Sequence, residues 1–133
     1  MEEVMADTNI RILVVDDSPT IRELTKIFLK DLEFTNVEEA ADGSNALEKL
    51  KSEVFDLVIT DWNMPKLSGL DLLKAIRADD KMKKIPVLMV TSVAEKENVI
   101  QAAQAGINDY MLKPISAEVL KSKIDKIFGS EVA

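Results

Sequence analysis

The sequence predicts an α/β fold: (βα)5, a doubly wound five-stranded parallel sheet in the order 2-1-3-4-5. Three observations predict it. Apolar runs of strand length alternate five times with amphipathic segments, as parallel strands joined by helical crossovers require. The first, third and fourth runs are apolar without alternation, which fits strands buried on both faces. No linker or composition shift interrupts the series, so one domain is expected over residues 10–128, between an N-terminal extension (1–9) and a C-terminal tail (129–133).

Each element has its own signal. Arg11–Asp16 is a β-branched run. A helix starts at Ser18-Pro19, with proline at a first-turn position and Ile21, Leu24, Phe28 and Leu32 on one face. Residues 36–40 form a short, weak strand. Residues 45–51 form a helix carrying Leu47 and Leu50, with Val54 continuing that face. The third strand is Leu57–Asp61, followed by a helix over 70–78 with Leu72, Leu73 and Ile76 inward. The fourth strand, PVLMVT (86–91), precedes a helix over 96–105 that runs up to Gly106, a C′ residue. Asp109–Leu112 is the last strand. The last helix covers 117–128, with Leu120, Ile124 and Ile127 at helical spacing and Gly129 closing it.

Composition then narrows the chemistry. A net charge of −7 argues against nucleic acid, whose phosphates need a basic surface. No apolar run approaches the roughly 20 residues of a membrane span, and the acidic first residues do not resemble a secretory signal, so a cytoplasmic protein is expected. Without cysteine or histidine there is no disulfide, thiolate or imidazole chemistry. What remains is carboxylate, lysine, hydroxyl and a hard cation.

The carboxylates are placed by topology. In this strand order ligands bind beyond the carboxyl ends of strands one and three. Those strands end in Asp16-Asp17 and in Asp61. Asp17 or Ser18 could simply cap the first helix, and a lone acid after a strand is often a turn former. Capping explains one carboxylate, not three on one crevice, where they would raise one another's pKa. A divalent cation relieves that repulsion, and an all-oxygen donor set points to Mg2+. Thr91-Ser92 after strand four and Lys113 after strand five complete a site able to hold a phosphoryl group. Asp61, central among these groups, is the best-placed nucleophile for an acyl phosphate.

These residues resemble the receiver domain of two-component response regulators, over about Arg11 to Phe128. Asp16-Asp17, Asp61, Thr91 and Lys113-Pro114 carry the resemblance, and DWNMP (61–65), GLDLLKAIRAD (69–79) and AAQAG (102–106) are similar to single-domain chemotaxis regulators of the flagellar motor. The resemblance implies a flavodoxin-like receiver fold and a monomer whose only catalysis is its own phosphorylation and dephosphorylation. Asp61 would be phosphorylated by a histidine kinase. Asp17, Asp61 and the Asn63 carbonyl would ligate magnesium, with Asp16 acting through water. Lys113, joined to Pro114 by a cis bond, would pair with the phosphoryl group. Thr91 would close onto it and Tyr110 would rotate inward. The switched face, helix four, strand five and helix five with Lys96, Tyr110 and Lys123, would bind a flagellar motor switch component, and a phosphatase would reset it. Ser18, Glu33, Val93 and Ile115 depart from the chemotaxis pattern, which usually has Phe, Gly, Glu and Phe there.

Three other readings compete. A stand-alone receiver in another phosphorelay shares all of this chemistry. An aspartate-nucleophile phosphohydrolase usually has a second acid two residues after the nucleophile, where this chain has Asn63. A flavodoxin-like cofactor carrier would cradle a phosphate on its first loop, where DDSPT presents two negative charges.

Overall fold

The structure, a computed structural model, describes residues 7–92 and 96–129. Its elements run β1 (Ile12–Val15), α1 (Pro19–Asp31), β2 (Val37–Ala40), α2 (Gly43–Ser52), β3 (Leu57–Asp61), α3 (Gly69–Ala78), β4 (Val87–Thr91), α4 (Lys96–Gln104), β5 (Asp109–Leu112) and α5 (Ala117–Gly129). The five strands pair in parallel in the order β2-β1-β3-β4-β5, as expected.

Both sheet faces are covered, and that explains the unalternating runs. Ile12, Val14, Leu57, Ile59, Leu88 and Val90 pack toward Leu29 of α1 and Leu120, Ile124 and Ile127 of α5. The intervening Leu13, Val15, Val58, Val87 and Met89 pack toward α2 and α3, on Ala46, Leu50, Leu72, Leu73 and Ile76. β2 is an edge strand and only its Ala40 is buried.

Side-chain caps fix the helix starts. Ser18 accepts the Ile21 N–H, Asp42 the Asn45 N–H and Ser68 the Asp71 N–H. Ser18, not Asp17, is therefore the cap of α1, and Asp17 is left outside the helix. α2 and α3 begin earlier than their apolar residues suggest, because the caps lie in the polar stretch before them.

Two expectations about faces need correction. The buried stripe of α1 centres on Thr25 and Leu29, and Leu24 lies beside it. Thr25 can be buried because its hydroxyl donates to the Ile21 carbonyl at 2.8 Å. Val54 does not extend the α2 face: Glu53 is the C-cap, and Val54 beyond it is 80% exposed.

Candidate functional site

The site is assembled where β1, β3, β4 and β5 end. Val15 pairs with Thr60, Asp61 with Val90 and Thr91 with Leu112, so the next residues emerge level at the carboxyl edge of the sheet. Asp16 and Asp61 are buried and Asp17 is exposed. One carboxylate oxygen from each lies within 4.8 Å of the others. Lys113 Nζ sits 3.3 Å from Asp61 Oδ1 and 3.8 Å from Asp16 Oδ2. Two buried carboxylates thus face one ammonium, and a third, exposed one stands beside them.

Burial pushes the Asp16 carboxyl above its usual value, and the charges of Asp61 and Asp17 push the same way. The Ser18 N–H, donating to Asp16 Oδ1 at 2.9 Å, and the Lys113 ammonium oppose this and are outweighed. Three clustered carboxylates, one of which the site's own lysine does not offset, suit a divalent cation: an all-oxygen donor set, partly open to water, with charge to neutralise. The residues present fit magnesium.

Thr91 is buried at the end of β4, and its carbonyl accepts the Lys113 N–H at 2.9 Å. The Lys113–Pro114 peptide is cis, as the resemblance implied. Asn63 is exposed, two residues beyond Asp61. Tyr110 is half-buried. With Trp62, Met89, Thr91 and Ala102 it lines a cavity of about 10 Å³ beneath the site. Lys123 Nζ lies 5.7 Å from the Tyr110 ring centre and 3.1 Å from Asp109 Oδ1, so its charge is already partnered. The Lys96 side chain and Val93 lie outside the described residues.

Sequence reasoning missed two residues that build the site. Gly69 brings the start of α3 back onto β3: its N–H donates to the Trp62 carbonyl at 2.8 Å, and a Cβ there would stand 2.2 Å from the Asp61 carbonyl oxygen. The signal was a glycine opening an otherwise strong helical pattern, where only close approach justifies its poor propensity. Arg22 reaches from α1 to the Asp16 carbonyl, and nothing in linear spacing announces that contact.

A family model for the response regulator receiver domain matches residues 12–125. The chain belongs to the response regulator receiver family. This receiver is 53% identical over 126 residues to chemotaxis protein CheY-3 of Vibrio cholerae, covering 95% of this chain and 97% of that one. It is 55% identical over 118 residues to chemotaxis protein CheY of Pseudomonas aeruginosa, covering 89% and 95%. Among solved structures, V. cholerae chemotaxis protein CheY4 matches with a TM-score of 0.84 at 34% identity, over 90% of this chain and 98% of that one. A CheY-like receiver domain protein of Methanospirillum hungatei matches at 0.83 and 33%, over 93% and 98%. The receiver is therefore a phosphorylation-activated regulator of a two-component system, and a signalling protein rather than a conventional enzyme.

Proposed function

We propose that Asp61 is the phosphoacceptor and that the receiver carries a chemotaxis signal to the flagellar motor switch. The observation that carries the first part is the buried Asp61 carboxylate, within 4.8 Å of two other carboxylates and 3.3 Å from Lys113. An Asp61 oxygen attacks the phosphorus of a histidine kinase's phosphohistidine. The P–N bond breaks, the imidazole departs with its electron pair, and an acyl phosphate remains on Asp61. Lys113 pairs with a phosphoryl oxygen and Thr91 donates its hydroxyl to another. Asp17, Asp61 and the Asn63 carbonyl would hold Mg2+, with Asp16 acting through water. The cation would supply neutralisation of the negative charge gathered there. Water, alone or helped by a phosphatase, then attacks the same phosphorus; the P–O bond to Asp61 breaks, its carboxylate leaves, inorganic phosphate is released and the protein is reset. On this reading its only catalysis is on itself, within a receiver domain of residues 10–128 in a cytoplasmic monomer. The motor as target is supported by the high identity to two curated chemotaxis proteins.

Two measurements test the reading. Trp62, the only tryptophan, is next to Asp61, so magnesium should quench or shift its fluorescence, and Asp17→Ala should remove the response. A signal flat to millimolar magnesium would sink the metal assignment. Acetyl phosphate with magnesium should add one base-labile phosphoryl group at Asp61 by mass spectrometry. Phosphate on a serine or threonine of the wild type would contradict the mechanism.

A further inference from the structure

The Asp16–Asp17–Ser18 turn is held at three points. The Asp16 N–H donates to the Ala40 carbonyl at 3.2 Å, which extends the ladder to β2. Its carboxylate accepts the Ser18 N–H. The third point is Arg22: from the first turns of α1 its Nη1 donates to the Asp16 carbonyl at 2.6 Å. Through Nε the same guanidinium donates to Glu39 Oε1 at 3.1 Å, and Lys26 Nζ donates to the other Glu39 oxygen at 3.1 Å. The Arg22 side chain is only 16% exposed. Burial pushes the Glu39 carboxyl up, but the hydrogen bonds from Lys26 and Arg22 outweigh it, so Glu39 stays an ionised anchor.

The geometry gives this bridge a purpose. A carbonyl oxygen shares a rigid plane with the next residue's N–H and Cα. Holding the Asp16 carbonyl therefore fixes the Asp17 N–Cα bond, and the Ser18 N–H held on the Asp16 carboxylate limits rotation about it, so the two restraints together set the direction in which the Asp17 side chain leaves the backbone. Asp17 is exposed, so packing does little to aim it. Charge is not the main contribution, since the guanidinium is already paired with Glu39. The fork matters more: one ammonium cannot hold two acceptors in the two fixed directions that a guanidinium spans.

We propose that Arg22 is a positioning residue for the acidic pocket, bridging Glu39 of β2 and the Asp16 carbonyl so that Asp17 is aimed at the cation. The proposal rests on the magnesium reading above. Partners that orient metal ligands typically contribute 10–100-fold to affinity.

The test uses the full chain with Arg22→Met, Arg22→Lys and Glu39→Gln, each first checked for cooperative urea unfolding. Magnesium Kd is measured by calorimetry, and backbone order at the Asp17 amide by 15N relaxation without magnesium. Arg22→Met should raise the Kd about tenfold and loosen the Asp17 amide. Arg22→Lys should lose nearly as much, and Glu39→Gln less. Wild-type affinity in Arg22→Met overturns the proposal, as does weaker affinity with an Asp17 amide that stays ordered. Full rescue by Arg22→Lys overturns it too, because charge rather than the fork would then be responsible. If Arg22→Met does not fold, Arg22→Lys decides alone. Should the wild type bind no magnesium, the metal assignment falls, while the relaxation measurement still decides whether Arg22 orders Asp17.

Discussion

Asp16 is the side chain on which burial and charge conflict most openly. Burial raises its folded-state pKa above the ordinary value of 3.8, with Asp61 adding to the rise. For an acid with a raised folded pKa, the folded state binds the proton more tightly than the unfolded chain. Stability is then greatest below the unfolded pKa and falls as pH rises through the interval up to the folded one. Asparagine keeps the acceptor for the Ser18 N–H and removes the charge. Without magnesium, Asp16→Asn should therefore have a higher urea midpoint than wild type at pH 7, and the gap should close as pH falls below the ordinary value. With magnesium the gap should shrink or reverse. Wild type and variant that differ equally at all pH values would refute this. Asp61→Asn should abolish acetyl phosphate labelling, since the amide is no nucleophile. Lys113→Arg should leave labelling largely intact and impair the output, because a planar fork does not replace a compact point charge. At this scale the sequence was legible wherever a strand end carried the group, as with Asp16, Asp17, Asp61, Thr91 and Lys113. It was not legible at Gly69 and Arg22, whose roles exist only once α3 and α1 fold back against the strand ends.

α1 and α4 end in the same way with different residues. At the end of α1 the Phe34 N–H reaches the Leu29 carbonyl at 2.8 Å and the Glu33 N–H reaches Lys30 at 2.9 Å. At the end of α4 the Ile107 N–H reaches Ala102 at 3.0 Å and the Gly106 N–H reaches Ala103 at 3.2 Å. Both are Schellman closures, which put the C′ residue in the left-handed region. Gly106 takes φ +91 freely, whereas Glu33 is held at φ 74 by the burial of Phe34 and Leu29 just beside it. The left-handed conformation costs an L residue about 1–2 kcal/mol, offset in part by the greater unfolded-state entropy of glycine. Glu33→Gly should therefore stabilise the protein by about 0.5–1 kcal/mol in urea unfolding, with phosphorylation unchanged. A destabilised variant would refute the strain. The departure at Glu33 was visible in the sequence, but its cost was not, because it depends on a dihedral angle. Element existence followed from apolar periodicity throughout. The α1 face was misplaced because periodicity counts threonine as polar, and Thr25 is buried with its hydroxyl spent on its own helix.

Across the whole molecule, the strand order brings Asp61 to one end of the sheet centre while β5, toward the edge, connects to α4 and α5. On the proposed reading a signal leaving through that edge passes Thr91, the last residue of β4, which also lines the small cavity. Tyr110 lines the same cavity, whose volume of about 10 Å³ is close to that of a single water. A phenol ring cannot enter such a space as it stands. Deeper burial of Tyr110 therefore requires a lining residue to move, and on the proposed reading that residue is Thr91, whose hydroxyl a phosphoryl group on Asp61, with roughly two negative charges, would draw away. Lys123, itself paired with Asp109, lies over the Tyr110 ring at 5.7 Å from its centre. A target that reads this face shifts the equilibrium only by its differential affinity for the two states. It should bind the phosphorylated form more tightly, by a factor of about ten, and by reciprocity slow the loss of the phosphoryl group or favour its gain. Calorimetry with a peptide from a flagellar motor switch protein, against a histidine phosphotransfer protein as the competing partner, measures both the preference and the choice of pathway. Equal affinity for the two forms, with phosphorylation confirmed, would rule out the switch, and preference for the phosphotransfer protein would move the receiver to another relay. A Tyr110→Ala variant that kept the whole difference would remove only the tyrosine's part, leaving Thr91 and α4 to carry the signal.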